Sequence, residues 1–286
     1  MKQKAALVLS GGGARGTAHI GVIEELLEKG FEISSIAGTS MGSLVGGMYA
    51  MGKLVEFRDW ICSLDRRKVV SLVDFSLGHQ GFVKADKVLR TIKEFTGEVN
   101  IEDLDIPYAA VAADVINREE VVFREGNIFE AIRASIAIPS VITPVKTKTG
   151  ILVDGGVMNN IPVNHVERVE GDLLVVVNVN AAIPLNLPSG TDKETRERKG
   201  RYQEKIKELQ AYIQKMNPLH SEEKLSYLNL VSRTINLMIY NTAQLHLKQY
   251  NPDIMIEVSR ESCGTYDFYK AEELVEIGRE AARAQL

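Results

Sequence analysis

The chain has 286 residues, 45% of them hydrophobic and 25% charged, with a net charge of −4. That is globular composition with enough length for a sizeable core, and the acidic balance argues against nucleic acid as a partner. Two distant cysteines, Cys62 and Cys263, have no metal-ligand spacing, which speaks against a disulfide scaffold or a metal site and fits a reducing, cytoplasmic compartment.

Lys2 and Lys4 precede an apolar run at Ala5–Leu9, too short for a signal segment or a membrane span, which reads as a strand. Ser10 to Gly16 breaks it with glycines. Thr17 to Lys29 then sets Ala18, Val22 and Leu26 on one helical face, with Gly30 as a stop. Ile33–Ala37 reads as a second strand, followed by "GTSMG" and the small-residue helix "SLVGGMYAMG". Tyr108–Ala113, Glu120–Phe123, Ile151–Val153, Leu173–Val179 and Ile254–Val258 are further strands. "LLVVVNV" is apolar without alternation, as in a strand covered on both faces. Strands alternating with helices predict an α/β fold with a largely parallel sheet in a single domain, 1–286.

One segment of that domain stands out, 184–250, a candidate lid. Pro184 to Gly190 carries a loop signal, and "DKETRERKGRYQEKIKE" follows, ordinarily a solvated helix or mobile loop. Leu225 to Tyr250 is expected as a long amphipathic helix with Leu228, Ile235, Met238, Ile239 and Leu245 near one face. Core packing is the default for that face, and peripheral contact with a membrane surface is the alternative. No stretch qualifies as a span.

Gly11, Gly13 and Gly16 spell G-x-G-x-x-G, the fingerprint of a dinucleotide-binding turn. A dinucleotide site needs an acidic residue at the end of the second strand, and Ile36-Ala37-Gly38 offers none. Gly38 to Gly42 instead matches G-x-S-x-G on a strand-to-helix turn, the context of a nucleophile elbow centred on Ser40. A serine needs a base. The histidines at 19, 79, 165, 220 and 246 have no motif around them, and His19 reads as a packed core histidine. Asp154, at the end of the strand in "ILVDGGVMNNIP", is the better candidate, although Asp-Gly pairs also serve as simple turns. Burial there raises a carboxyl pKa toward that of a useful base. Acyl transfer to Ser40 generates an oxyanion, and the Gly11-Gly12-Gly13 turn exposes unobstructed N–H groups for it. Arg15 adds positive charge or fixes this loop, unless it is an ordinary surface ion pair. Met41, next to the nucleophile, is expected to support the site.

The glycine loop, the serine elbow, "RASIAIPSVITPV" at 133–145 and Asp154-Gly155-Gly156 together resemble the patatin-like phospholipases, over roughly residues 5–180. "GGGARGTAHIGVIEEL" is similar to the bacterial members and the neuropathy-target-esterase branch. The resemblance implies a three-layer α/β/α fold, a Ser40–Asp154 dyad without histidine, an oxyanion hole at 11–13, and hydrolysis of lipid acyl esters without a cofactor. "AADVINRE" at 112–119 departs from many members, at the expected pocket rim. The rivals are a short-chain carboxylesterase and a dinucleotide-binding protein.

Overall fold

The computed structural model describes residues 2–72, 74–75, 83–139, 141–185 and 227–286. The chain divides into a large unit, Met1–Leu185 with Ile235–Leu286, and a small one, Asn186–Thr234. Of the small unit only 227–234 is described, the opening turns of a helix, so most of the candidate lid lies outside the described residues.

All seven predicted strands are present, within a mixed, mostly parallel sheet of eight. In chain order its strands are β1 (Gln3–Leu9), β2 (Phe31–Thr39), β5 (Tyr108–Asp114), β6 (Glu119–Phe123), β7 (Val145–Lys146), β8 (Ile151–Asp154), β9 (Leu173–Ala181) and β10 (Ile254–Ser259). Two-residue strands β3 (Asp74–Phe75) and β4 (Val83–Lys84) pair separately. The order across the large sheet is β10-β9-β1-β2-β5-β8-β7, with β6 also on β5. From β10 to β5 every neighbour is parallel, whereas β6 and β8 run antiparallel to β5.

The described α-helices are α1 (Ala18–Glu28), α2 (Met41–Ala50), α3 (Leu54–Cys62), α4 (Arg66–Leu72), α5 (Asp86–Thr96), α6 (Ile128–Ser135), α7 (Tyr227–Gln249) and α8 (Ala271–Arg283). Alternation along β1 separates two cores. Ala5, Leu7 and Leu9 join the main one with Val22, Leu26, Val45, Met48, Phe57 and Val275 of the covering helices. Ala6 and Val8 face the other way, onto Ile161, Val163, Val166 and Ala243. The sheet is therefore covered on both faces, as its continuous apolar strands require.

The second layer is the thinner one. Ala243 of α7 is buried, with Leu247 and Tyr250 packed beside it. Met238 and Leu245, expected on the core face, are 59% and 61% exposed. Ile235 and Ile239 of the expected face are half-buried, and the helix residue buried outright is the small Ala243.

Candidate active site

β5 has three partners and two edges. β6 pairs with residues 110–114, overlapping the spans used by both β2 (108–111) and β8 (112–114). β6 must hold one edge alone, and β2 and β8 share the other end to end. Thr39 closes β2 opposite Val111, and Asp154 closes β8 opposite Ala112. Two strands running toward each other thus finish at adjacent residues of β5, which brings Ser40 to Asp154.

Ser40 has φ 53° and ψ −123°, a backbone conformation that costs a non-glycine residue of order 1–3 kcal/mol. Its surroundings hold it there. Ser40 N–H donates to Ser135 Oγ at 2.8 Å, and Ser135 Oγ donates to Val111 O at 2.6 Å. The Ser40 carbonyl accepts from Ser43 N and Leu44 N, starting α2. The motif glycines mark the crossing of strand and helix. A methyl group on Gly38 would stand 2.5 Å from the Gly42 backbone, and one on Gly42 would run into the carbonyls of Leu9 and Ser10.

Asp154 and Ser40 are both 5% exposed. The Ser40 side chain lies close enough to the Asp154 carboxylate to stabilise its charge. Gly156 N–H donates to Asp154 Oδ1 at 2.8 Å, and Asp154 N–H donates to Ala137 O at 2.9 Å. Burial raises the carboxyl from 3.8 to about 6, against the opposing pull of the Ser40 side chain and the Gly156 N–H. The 133–145 segment is thus a splint, with Ser135 holding the serine and Ala137 the aspartate.

The glycine loop lies against this pair. A methyl group on Gly11 would stand 3.2 Å from Ser40 Cβ. Gly11 N–H is taken by Asn160 O, whereas the N–H groups of Gly12 and Gly13 have no protein acceptor among the described residues. Gly13 has φ +58° and faces Thr265, so a side chain there is doubly disfavoured. Arg15 makes no ion pair among the described residues; its Nη1 donates to the carbonyls of Cys263 and Arg260, tying the loop to 260–263. Burial lowers its pKa. Met41 packs its Cβ and Cγ onto Gly16, coupling elbow to loop.

The described histidines are engaged elsewhere. His19 is fully buried, pushed down to about 4 by desolvation, with Nε2 bonded to Ser10 O at 2.8 Å. His165 Nε2 pairs with Glu120, and His246 Nδ1 donates to Asn159 Oδ1 at 3.1 Å. His79 and His220 lie outside the described residues. The departure at 112–119 is a turn capped by Asp114, which accepts from Ile116 N, Asn117 N and Ile151 N. The sequence reading did not single out Ser135, Asn160 or Asn180, although the first two lie inside motifs it quoted.

At the end of β2, Thr39 donates its hydroxyl to Asn159 O, where a dinucleotide site would need a carboxylate. Among the described residues no three His, Cys, Asp or Glu side chains gather as metal ligands, and no helix is long and apolar enough to cross a membrane.

Comparison with known proteins bears on the same residues. The patatin-like phospholipase family matches residues 7–166, more than half of the chain, from the first strand through the segment after Asp154. An uncharacterized NTE family protein of Mycobacterium tuberculosis is 35% identical over 99% of this chain and 91% of its own length. The lysophospholipase NTE1 of Candida glabrata is 25% identical over 99% of this chain and 16% of its own. Among solved structures, VipD from Legionella pneumophila aligns at 16% identity and TM-score 0.46, over 99% of this chain and 66% of that one. The matched span contains the glycine loop, the elbow, the splint and the Asp154 turn, the same four pieces that meet around Ser40, and the chain belongs to the patatin-like phospholipase family of lipid-ester hydrolases.

Proposed function

We propose that this protein hydrolyses acyl esters of phospholipids or lysophospholipids through a Ser40–Asp154 dyad. The observation that carries the reading is the placement of a strained, buried serine and a buried carboxylate raised to about 6 at the meeting ends of β2 and β8. At neutral pH that carboxylate is ionised yet far more basic than an exposed aspartate, a suitable state for accepting the Ser40 proton.

Ser40 Oγ attacks the ester carbonyl carbon as its proton passes to Asp154. The carbonyl oxygen becomes an oxyanion, and the N–H groups of Gly12 and Gly13, which have no acceptor among the described residues, are its donors. Collapse breaks the bond to the alcohol, which leaves with the proton from Asp154. Asp154 then takes a proton from water as it attacks the acyl-enzyme carbonyl, and collapse breaks the bond to Ser40 Oγ, which regains that proton from Asp154 as the fatty acid leaves. Gly11 contributes by close approach, since its own N–H is occupied. Arg15 and Met41 support the loop and the elbow. The exposed Leu237, Met238 and Leu245 on α7 give a peripheral lipid contact a physical basis.

Labelling with a fluorophosphonate probe, with and without Ser40→Ala, tests the nucleophile, and turnover of lysophosphatidylcholine beside p-nitrophenyl acetate tests the substrate. Labelling that survives Ser40→Ala ends the dyad reading. Turnover of the short ester alone returns the carboxylesterase.

A further inference from the structure

Two asparagines outside the dyad converge on one carbonyl. Asn160 Nδ2 donates to Gly11 O at 3.4 Å, and Asn180 Nδ2, near the end of β9, donates to the same oxygen at 2.5 Å. Asn160 also accepts the Gly11 N–H through its own backbone carbonyl, 3.0 Å away. Its Oδ1 lies 2.5 Å from where a methyl group on Gly11 would sit and 2.9 Å from the equivalent point on Gly156, beside Asp154. A single buried side chain thus touches the glycine loop and the aspartate turn at once. Asn180 closes the other side, with Gly12 packed on Val179 and the Asn180 amide.

A peptide plane is rigid, and in its trans form the carbonyl of one residue and the N–H of the next point in opposite directions. Holding Gly11 O between two amides therefore fixes where Gly12 N–H points, on the side away from them. A glycine-glycine peptide is otherwise the easiest in the chain to flip. A flipped plane would present a carbonyl dipole to developing negative charge.

We infer that Asn180 and Asn160 are positioning residues that lock the Gly11–Gly12 peptide with its N–H directed at the oxyanion formed on Ser40. They touch neither substrate nor Ser40 Oγ and act through that peptide. The inference rests on Ser40 being the nucleophile.

Asn180→Ala and Asn180→Asp separate orientation from packing. Asn180 is half-buried, so water can enter an alanine variant and donate to Gly11 O, whereas an aspartate keeps the shape and turns an acceptor on the carbonyl. Orientation control predicts activity in the order Asn, Ala, Asp; simple packing predicts Asn, Asp, Ala. In Asn180→Asp the expected loss is about 10- to 100-fold in kcat, short of deleting a donor outright, with KM within about twofold. Inhibition by an alkyl trifluoromethyl ketone, whose adduct with Ser40 carries the oxyanion, should weaken by the same factor. An alkyl ether analogue that cannot form the adduct should bind unchanged. Asn160→Asp repeats the measurement from the other amide. Full kcat in the aspartate variants, the packing order, or equal weakening of both inhibitors overturns the inference while leaving the dyad intact. Turnover that survives Ser40→Ala, measured alongside, overturns the dyad itself.

Discussion

Replacing Asp154 by asparagine should kill turnover and stabilise the fold, and the stabilisation should depend on pH in a way set by the buried carboxyl. Asp154 titrates at about 6 in the folded protein and near 3.8 when unfolded. Between those values the folded state holds a proton that the unfolded state has released. Wild-type stability therefore falls as pH rises through this window and is level above it. A difference of roughly two units corresponds to about 3 kcal/mol of stability lost by pH 7. Asparagine keeps the acceptor for Gly156 N–H and has no charge to desolvate, so the variant escapes the penalty. Paired urea titrations of wild type and Asp154→Asn should show no stability gain near pH 3.5, a rising gain from pH 4 to 6, and a plateau of about 3 kcal/mol above pH 7. The plateau should raise the melting temperature by on the order of 5–10 °C for a chain of this size. In the wild type, kcat/KM should fall with acidification through about pH 6 as the base is protonated. A gain that is the same at pH 4 and pH 8, or a variant destabilised at pH 8, would refute the claim that Asp154 is a charge held out of water at the expense of stability.

Ser40→Ala should cost on the order of 10³-fold or more in turnover with the fold retained, and Ser40→Gly should be equally inactive yet more stable by about 1 kcal/mol, because glycine relieves the backbone strain; a Ser40→Gly protein melting below the alanine variant would contradict the strain. Ser135→Ala leaves the Ser40 N–H without its acceptor and should destabilise by about 1–3 kcal/mol while lowering kcat, read by denaturant titration and ester hydrolysis. Gly42→Ala, driven into the Leu9 and Ser10 carbonyls, should express poorly or unfold at low urea. His165→Ala and His246→Ala should keep turnover within about tenfold of wild type, whereas a folded variant as inactive as Ser40→Ala would add a histidine to the mechanism.

Local chemistry made much of this protein legible in its sequence. The central strands are apolar runs because the sheet is buried on both faces there, and the runs at 5–9, 33–37 and 173–179 needed no partner to be recognised. The elbow is legible because Gly38 and Gly42 stand where no side chain fits, and Asp154 because it ends a strand in a glycine turn. The helices over 54–96 went unread although Leu89, Ile92 and Phe95 recur at helical spacing, and on α7 periodicity placed Met238 and Leu245 toward the core where the structure leaves them exposed. The active-site assembly was beyond local pattern. An apolar run marks β8 as a strand but says nothing about its direction, and only the antiparallel insertion of β8 beside β5, end to end with β2, brings Asp154 to Ser40 across more than a hundred residues of chain. The same holds for Asn180, an ordinary strand-end amide in the sequence, which reaches Gly11 because β9 lies parallel to β1. Side-chain periodicity is a property of neighbours along the chain, whereas strand order and direction are chosen by the burial of the whole sheet, and the chemistry sits where those choices meet.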